Sequence, residues 1–404
     1  MAVECPVLRP SGDQPLLLPA VALACLGVLQ PGIDPVFLTL LSSAHGLSPD
    51  RHGWIVSASQ CGMALGALVT WQYGRRLSGP IFPTAALVAL LAALATAWTG
   101  DFALLLGLRC LFGLATGVLY TQAMSNAAAH RPHGAYGAVF LCQLGVATAV
   151  ALLLPTIADT AGAAIALATL AIAPLCALAI CVRYPQAVSR REPATPARAS
   201  GGPGHSDTRA WAAAGATLLF ICATMMVWSF AGALAIDAGI SEATIGQAVA
   251  VGSLAGAATA FFVMRERPAV PPALTGPLSG LSLICPILAT RDGDPILFIV
   301  SIILLNIGST AIIVRSSGLA SAAGRDGLFR RFVACTHPLG MTLGPVAGSL
   351  ASLAFGAGGL LYAAVTAILS ACLLLAFADL APGGLRWRRT SYESLDEYLT
   401  NVQP

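Results

Sequence analysis

The chain has 404 residues, of which 57% are hydrophobic and 10% are charged, and its formal net charge at pH 7 is +3. A soluble protein carries roughly 25% charged residues, so these proportions exclude an ordinary soluble protein, and the small net charge gives no support for nucleic-acid binding. Apolar runs of about 20 residues recur along the chain, which is the length that crosses the hydrocarbon core of a bilayer.

The first predicted span, 17–42, follows a polar stretch that carries acidic as well as basic residues. That charge mixture and the length of the apolar run are not those of a cleaved signal peptide, so we expect this span to be retained. Within it, the sequence QPGIDPVF places Asp34 between Pro31 and Pro35. A charge inside a membrane helix costs about 2.5–3.5 kcal/mol on insertion scales, so Asp34 needs a partner or a wet cavity.

The loop after span 2 and the sequence of span 4 carry two recognisable motifs. The loop contains YGRR, which includes Gly74, Arg75 and Arg76. Span 4 contains RCLFGLATG, in which Arg109 is followed by Gly113 and Gly117. Small residues at this spacing let membrane helices approach closely, so we expect these two glycines to lie at a helix–helix contact.

The complete set of apolar runs predicts about twelve spans and an all-α polytopic membrane fold. The predicted spans are 17–42, 53–73, 78–99, 102–126, 135–158, 162–182, 211–235, 243–264, 272–290, 295–317, 328–353 and 357–380. The longest interruption, 183–209, is rich in Arg, Pro, Gly and Ser, which is typical of a flexible linker. The predicted parts are therefore a six-helix bundle over 1–182, a cytoplasmic linker over 183–209, a six-helix bundle over 210–382 and a cytoplasmic tail over 383–404.

The arginines predict the orientation of these spans, because cytoplasmic loops carry an excess of basic residues. The loops after spans 2, 4, 6, 8 and 10 and the tail hold most of the arginines, whereas the opposite loops hold only Arg51 and Arg291 beside several acidic residues. Every basic residue is Arg, as in proteins from GC-rich genomes. We therefore expect an integral protein of a bacterial inner (cytoplasmic) membrane with both termini in the cytoplasm.

The two halves of the chain resemble each other. Sliding one half by 190 residues pairs Gly62 with Gly252, Gly66 with Gly256, Trp71 with Phe261 and Arg75 with Arg265. A similar shift pairs Gly113 with Gly308. Duplicated six-helix halves are characteristic of secondary transporters, in which the substrate site lies between the halves near the middle of the membrane.

These features resemble the major facilitator superfamily over essentially the whole chain. RCLFGLATG matches that family's pattern in span 4, and YGRR resembles its loop motif, although Trp71 stands where that motif has Asp. Span 11 contains GMTLGPVAG, with Gly344 and Pro345, which is similar to the motif that proton-coupled antiporters of the family carry in span 5. The resemblance implies two pseudo-symmetric six-helix bundles, with spans 1, 4, 7 and 10 around a central cavity, and leaves the subfamily open.

Asp34 and Arg109 are the candidate proton-coupling pair. At 1.5 Å per residue both lie about 12–14 Å from the predicted outer ends of their spans, so they are expected at equal depth on two cavity helices. If the two groups part during transport, Asp34 takes up a proton, and when they meet it releases one. The alternatives are a permanent structural pair and no pair at all.

Other polar residues within the spans are candidates for contact with a substrate in the cavity, and each is alternatively a hydrogen-bonding contact between helices. They are Gln30, Tyr120, Gln122, Asn126, Gln143, Trp228, Asn306 and His337.

The sequence predicts a secondary active transporter of a small organic molecule that works by alternating access and is coupled to protons. Efflux of an amphipathic compound and uptake of a small organic acid both remain open. The alternative is a membrane sensor or assembly partner on the same fold, with the tail as its docking segment. No catalytic, cofactor or metal motif is present, so we expect no enzyme activity, and the expected partners are substrate, protons and membrane lipid, with the chain a monomer.

Overall fold

The computed structural model describes residues 17–48, 51–77, 79–129, 131–189, 205–265, 270–324 and 327–380. Within these ranges the regular structure is helical. Most of the predicted linker and the whole predicted tail over 383–404 lie outside the described residues.

The helices fall into two sets of six spans, as predicted from the sequence. The spans of the first half are Leu18–Gly27 with Gln30–His45, His52–Tyr73, Ile81–Trp98, Phe102–Ala128, Pro132–Ala161, and Ala163–Thr169 with Ile172–Arg183. The spans of the second half are His205–Asp237, Glu242–Val263, Pro272–Ala289, Pro295–Ala323, Gly327–Phe355 and Gly359–Leu380. Among the described residues 11 spans are long and apolar enough to cross a membrane, and the helix of span 9 is shorter.

Two short elements lie outside the spans in the described part of the chain. A short helix, Gln186–Ser189, follows span 6, and a single 3-10 turn, Gly356–Gly358, separates spans 11 and 12. The helix of span 7 begins at His205, inside the segment predicted to be linker. We call the end of the molecule where spans 2, 4, 6, 8 and 10 finish the linker end, and the opposite end the far end.

The two halves meet through spans 2 and 11 and through spans 5 and 8. Thr342 in span 11 donates a hydrogen bond of 3.0 Å to the backbone carbonyl of Gln60 in span 2. Gly137 in span 5 lies so close to Met264, just after span 8, that a Cβ added at the glycine would collide with it. These contacts lie between the linker end and about mid-depth.

The apolar core shows the same division between the two ends. One large buried cluster contains residues of both halves, among them Ala127 of span 4 and Ala320 of span 10. At the far end, by contrast, one cluster around Leu41 belongs to the first half and another around Phe298 belongs to the second. The halves are therefore packed together at the linker end and separate toward the far end, which leaves a cleft that opens there.

Glycines allow the backbones of spans 2 and 4 to touch. A Cβ added at Gly113 would collide with the backbone carbonyl of Ser59, and one added at Gly117 with that of Met63. In the second half, Gly252 packs in the same way against span 10, where its added Cβ would meet the Asn306 side chain at 2.7 Å. Gly62 packs on the backbone of Cys110 in span 4, so Gly62 and Gly252 lie at equivalent helix contacts in the two halves, whereas Gly308, the counterpart of Gly113, packs on Ser282 of span 9.

Four aromatic rings close the linker end. The Trp71 ring of span 2 lies 5.1 Å from the Phe332 ring of span 11. Trp211 of span 7 contacts the same ring at 4.7 Å and that of Phe329 at 5.0 Å. Trp71 occupies the motif position at which the resembled family has Asp, so here an aromatic contact joins the two halves at that position.

Replacement of Gly113 by Ala is expected to destabilise the protein by about 1–3 kcal/mol, because the methyl group overpacks the contact between spans 2 and 4. The matched control is Gly107→Ala in the same helix, where an added Cβ meets nothing within 4 Å and alanine favours the helix. Thermal unfolding of the purified variants should show a lower Tm for the first and an equal or higher Tm for the second. Equal Tm values would contradict the close approach at Gly113.

Replacement of Trp71 by Ala should loosen the linker end, because the ring that joins spans 2 and 11 is lost. Cys335, which is fully buried in span 11, should then react faster with a water-soluble maleimide, as measured by mass spectrometry. Phe261→Ala is the control, since Phe261 is the repeat counterpart of Trp71, and its exposed ring lies 5.7 Å from that of Phe262 in the same helix. An unchanged rate at Cys335 in the Trp71 variant would show that the aromatic contact does not hold the halves together.

Candidate functional site

Span 1 is broken in the middle of the membrane-spanning segment. Its first helix ends at Gly27 and its second begins at Gln30. Pro31 explains the break, because its ring clashes with the carbonyl four residues earlier, at Gly27, and supplies no N–H group to that carbonyl. Irregular backbone at this depth is tolerated only where it is buried in protein or lines a cavity.

Asp34 lies one turn beyond this break and is buried. Its Oδ1 accepts a hydrogen bond of 2.8 Å from Nε2 of Gln30, which is four residues earlier and therefore on the same helix face. The candidate acid is thus satisfied by a neighbour on its own helix, and that neighbour is itself one of the predicted cavity residues.

Arg109 of span 4 is only 2% exposed and is held by three other side chains. Its Nη2 donates a hydrogen bond of 2.9 Å to Oγ of Ser59 in span 2. Its guanidinium carbon lies 4.5 Å from the ring centroids of both Phe37 and Phe112. A desolvated cation on an aromatic ring gains about 2 kcal/mol, so the two rings offset part of the cost of burial. Its Nε has no hydrogen-bond partner among the described residues.

Asp34 and Arg109 are neighbours whose hydrogen bonds go elsewhere. The charges interact electrostatically, but Asp34 is bonded to Gln30 and Arg109 to Ser59. The guanidinium of Arg109 packs on the ring of Phe37. Phe37 is three residues after Asp34, so Arg109 contacts span 1 about one helical turn from Asp34, toward the far end. The arrangement places the two charges within one helical turn of each other without a direct ion pair in this state.

A cavity of about 310 Å³ lies beside Arg109 within the first half. Spans 1, 3, 4, 5 and 6 line it, and its wall is almost entirely apolar. The polar side chains on the wall are Gln30, Thr96, Arg109 and Thr169. The cavity therefore joins one buried cation to a large apolar surface.

Span 6 is broken as well, and its break meets that of span 1. Its two helices are separated at Leu170 and Ala171, where Pro174 removes the hydrogen bond that would continue the helix. Leu29, at the break of span 1, and Leu170 belong to one apolar cluster and both line the cavity. Backbone N–H groups around the span 6 break are paired, as in the bond of 3.1 Å from Leu170 to Leu167, so Arg109 remains the strong polar group of this wall.

Two of the predicted cavity residues bind the segment that follows span 6. Nε2 of Gln122 donates to the backbone carbonyl of Val188 at 3.1 Å, and Nδ2 of Asn126 donates to that of Ala187 at 2.8 Å. These bonds satisfy carbonyl groups of the short helix after span 6, near the linker end. Their role with a substrate remains a prediction.

Tyr120 and His337 lie between the two halves. The imidazole ring of His337 in span 11 is 5.9 Å from the ring of Tyr120 in span 4 and 5.5 Å from the ring of Phe140 in span 5. Trp228 of span 7 packs against both the shared cluster and the far-end cluster of the second half. These residues therefore lie near the bottom of the cleft.

Gln143 and Asn306 occupy different helix contacts. Gln143 of span 5 is buried beside Gly32 of span 1, and its Oε1 has no hydrogen-bond partner among the described residues. Asn306 of span 10 donates a bond of 2.9 Å to the carbonyl of Ile302 and packs on Gly252. Gln143 thus retains an unused acceptor at the contact of spans 1 and 5, whereas Asn306 serves the packing of spans 8 and 10.

The remaining motif residues lie at contacts between helices or on the surface. Gly74 packs against the side chain of Arg331 at the start of span 11, whereas Arg75 and Arg76 are exposed. A Cβ added at Gly344 would meet the backbone carbonyl of Cys222 in span 7 at 2.5 Å, and Pro345 follows it within the helix of span 11.

The partners of Arg109 and the cavity beside it were not predicted from the sequence. Ser59, Phe37 and Phe112 are ordinary residues for apolar spans, and no local pattern connects them with Arg109. The break in span 6 did have a signal, since Pro174 stands within a predicted helix, and the same reasoning that was applied to Pro31 identifies it.

Comparisons with known proteins agree with this architecture. No protein-family model matches the sequence, and no curated protein is similar to it. Among solved structures, the chain is similar to the crystal structure of the human organic anion transporter MFSD10 (TETRAN), with 15% sequence identity and a TM-score of 0.64 over 90% of this chain and 100% of that chain. The chain forms two six-helix bundles that meet through spans 2 and 11 and through spans 5 and 8. This arrangement and the structural likeness show that the chain has the fold of the major facilitator superfamily.

Proposed function

We propose that the protein is a secondary active transporter of a small organic molecule that works by alternating access and is coupled to protons. The observation that carries the proposal is the division between the two ends of the molecule. The halves share one core at the linker end and have separate cores at the far end. A transporter in the opposite state would close the far end and separate the linker end.

The contacts at the linker end are of a kind that can break and form again. They consist of aromatic rings, such as Trp71 on Phe332 at 5.1 Å, and of small residues such as Gly137 against Met264. Arg331 of span 11 is buried in the same region against Gly74 of span 2, so separation of the halves would also expose a charge at the linker end.

Asp34 is our candidate for the proton site. In the far-end-open state it is buried beside Gln30, one turn from Arg109. Movement of Asp34 toward Arg109 would stabilise the carboxylate and release its proton, whereas the separated arrangement favours the protonated acid. The break at Gly27 gives span 1 a place at which its two helices can change their angle.

The substrate class that the charges favour is an organic acid. Arg109 is a buried cation, and a buried guanidinium is well suited to a carboxylate because it offers several donors in one plane. The structurally similar MFSD10 is described as an organic anion transporter, which agrees with this class. Under the predicted orientation, with both termini in the cytoplasm of a bacterial inner membrane, the open cleft of this state faces outward.

The test of coupling is Asp34→Asn in proteoliposomes, with a solute chosen by its ability to raise the Tm of the purified protein. Accumulation driven by an imposed pH gradient should be lost, because the amide cannot carry a proton, whereas exchange of labelled for unlabelled solute should persist. Asp101→Asn is the matched control. Asp101 is an exposed N-cap that accepts a bond of 2.8 Å from Leu104 N–H, and Asn caps helices equally well.

Full accumulation by the Asp34 variant would exclude Asp34 as the proton site while leaving transport itself intact. Failure of the unaltered protein to move any binding solute, with or without a gradient, would overturn the transport proposal and favour a sensor or assembly role.

A further inference from the structure

The cavity beside Arg109 opens away from the second half of the molecule. Val146 and Leu153 of span 5 line it and are 38% and 60% exposed. Leu144 of the same helix faces the second half, since its side chain contacts the position of Gly256. Leu153 follows Leu144 by nine residues, which is about two and a half turns, so it lies on the opposite side of the helix.

The opening lies between span 5 and the second helix of span 6. The first helix of span 6, Ala163–Thr169, packs on span 5, whereas the second, Ile172–Arg183, packs on spans 1 and 3. Ile172 and Cys176 of that second helix line the cavity and are exposed. Because this side of the molecule consists of apolar membrane-spanning helices, the opening faces the hydrocarbon of the bilayer.

The inner end of the cavity is the only part of its wall with a full charge. Arg109 is 2% exposed, lies on the wall between Phe37 and Phe112, and has an Nε without a hydrogen-bond partner among the described residues. An unused donor on a buried cation favours an anionic acceptor. The rest of the wall favours an apolar body.

We propose that this cavity binds a single-chain apolar carboxylic acid, such as a medium-chain fatty acid, which enters from the bilayer between spans 5 and 6 and places its carboxylate on Arg109. The volume of about 310 Å³ is at the lower end of the range for small-molecule sites, about 300–1,000 Å³. The apolar chain would remain in an environment like that of the lipid, so entry requires desolvation of the head group alone. This site lies within one bundle rather than in the cleft between the bundles. It shares Arg109 with the proposed function, but binding of the acid is measured without transport.

The test uses the full chain in phosphatidylcholine nanodiscs and a fatty acid that carries a photoreactive diazirine on its chain. Cross-linking should label peptides that contain the cavity residues of spans 5 and 6, including Leu153 and Cys176. Laurate should compete for this labelling, whereas dodecanol, which has the same chain without the carboxylate, should compete at least about tenfold less well. Equal competition by the two compounds, or labelling elsewhere only, would overturn the proposal.

Two variants separate the charge from the shape of the site. Arg109→Gln should weaken laurate binding about tenfold or more, and Arg109→Lys should restore part of it. Because Arg109 is buried and these variants can fail to fold, Leu153→Trp provides a test at an exposed position, where the larger ring narrows the opening and should reduce labelling severalfold.

Leu152→Trp is the matched control, since Leu152 is 67% exposed and does not line the cavity. Equal labelling of the Leu152 and Leu153 variants would contradict entry between spans 5 and 6. Loss of laurate labelling in the Leu153 variant with transport intact would bear on this cavity alone. Loss of gradient-driven accumulation in the Asp34 variant with laurate binding intact would bear on the proposed function alone.

Discussion

The cost of a charge inside a bilayer is the constraint on which the rest of this structure depends. A buried Arg or Asp costs several kcal/mol there unless other groups satisfy it, and the first half places both within one turn of each other. Arg109 is held by the Ser59 hydroxyl and two phenyl rings, and Asp34 by the amide of Gln30. Neither charge uses the other as its hydrogen-bond partner. Both can therefore exist apart in this state, and a direct pair remains available to another state.

Proline determines where this chemistry lies. Pro31 breaks span 1 and Pro174 breaks span 6, and the residues at the two breaks pack together on the cavity wall. The breaks place irregular backbone in the middle of the membrane, where it is tolerated only if it is buried in protein or lines a cavity. The first bundle thus combines a rigid contact, in which glycines of spans 2 and 4 bring the backbones together, with two helices that can bend. That combination gives a fixed cation on span 4 and a movable acid on span 1.

Most of the fold could be predicted from the sequence, because each span carries its own signal in length and hydropathy, and the glycine repeat relates the two halves. The contact between Asp34 and Gln30 could also have been predicted, since residues four apart lie on the same face of a helix. The environment of Arg109 was not, because Ser59 and Arg109 are 50 residues apart and only the packing of spans 2 and 4 joins them. The cavity was unpredictable for the same reason, since five spans contribute to its wall. Trp71 is a second example. Its role in joining spans 2 and 11 could be recognised only from the structure, which places Phe332 beside it.

The most direct test of the account is a measurement of distance at both ends of the molecule. Spin labels at Ser48 and Asp292, which are exposed at the far end of each half, and at Arg76 and Leu328 at the linker end, would be placed in a background free of native cysteine. Electron–electron double resonance in nanodiscs, with and without a solute that stabilises the protein, then reports each distance. Alternating access predicts that the far-end distance shortens in the same population in which the linker-end distance lengthens. Distances that stay constant at both ends under all conditions, or that change together in the same direction, would contradict the account.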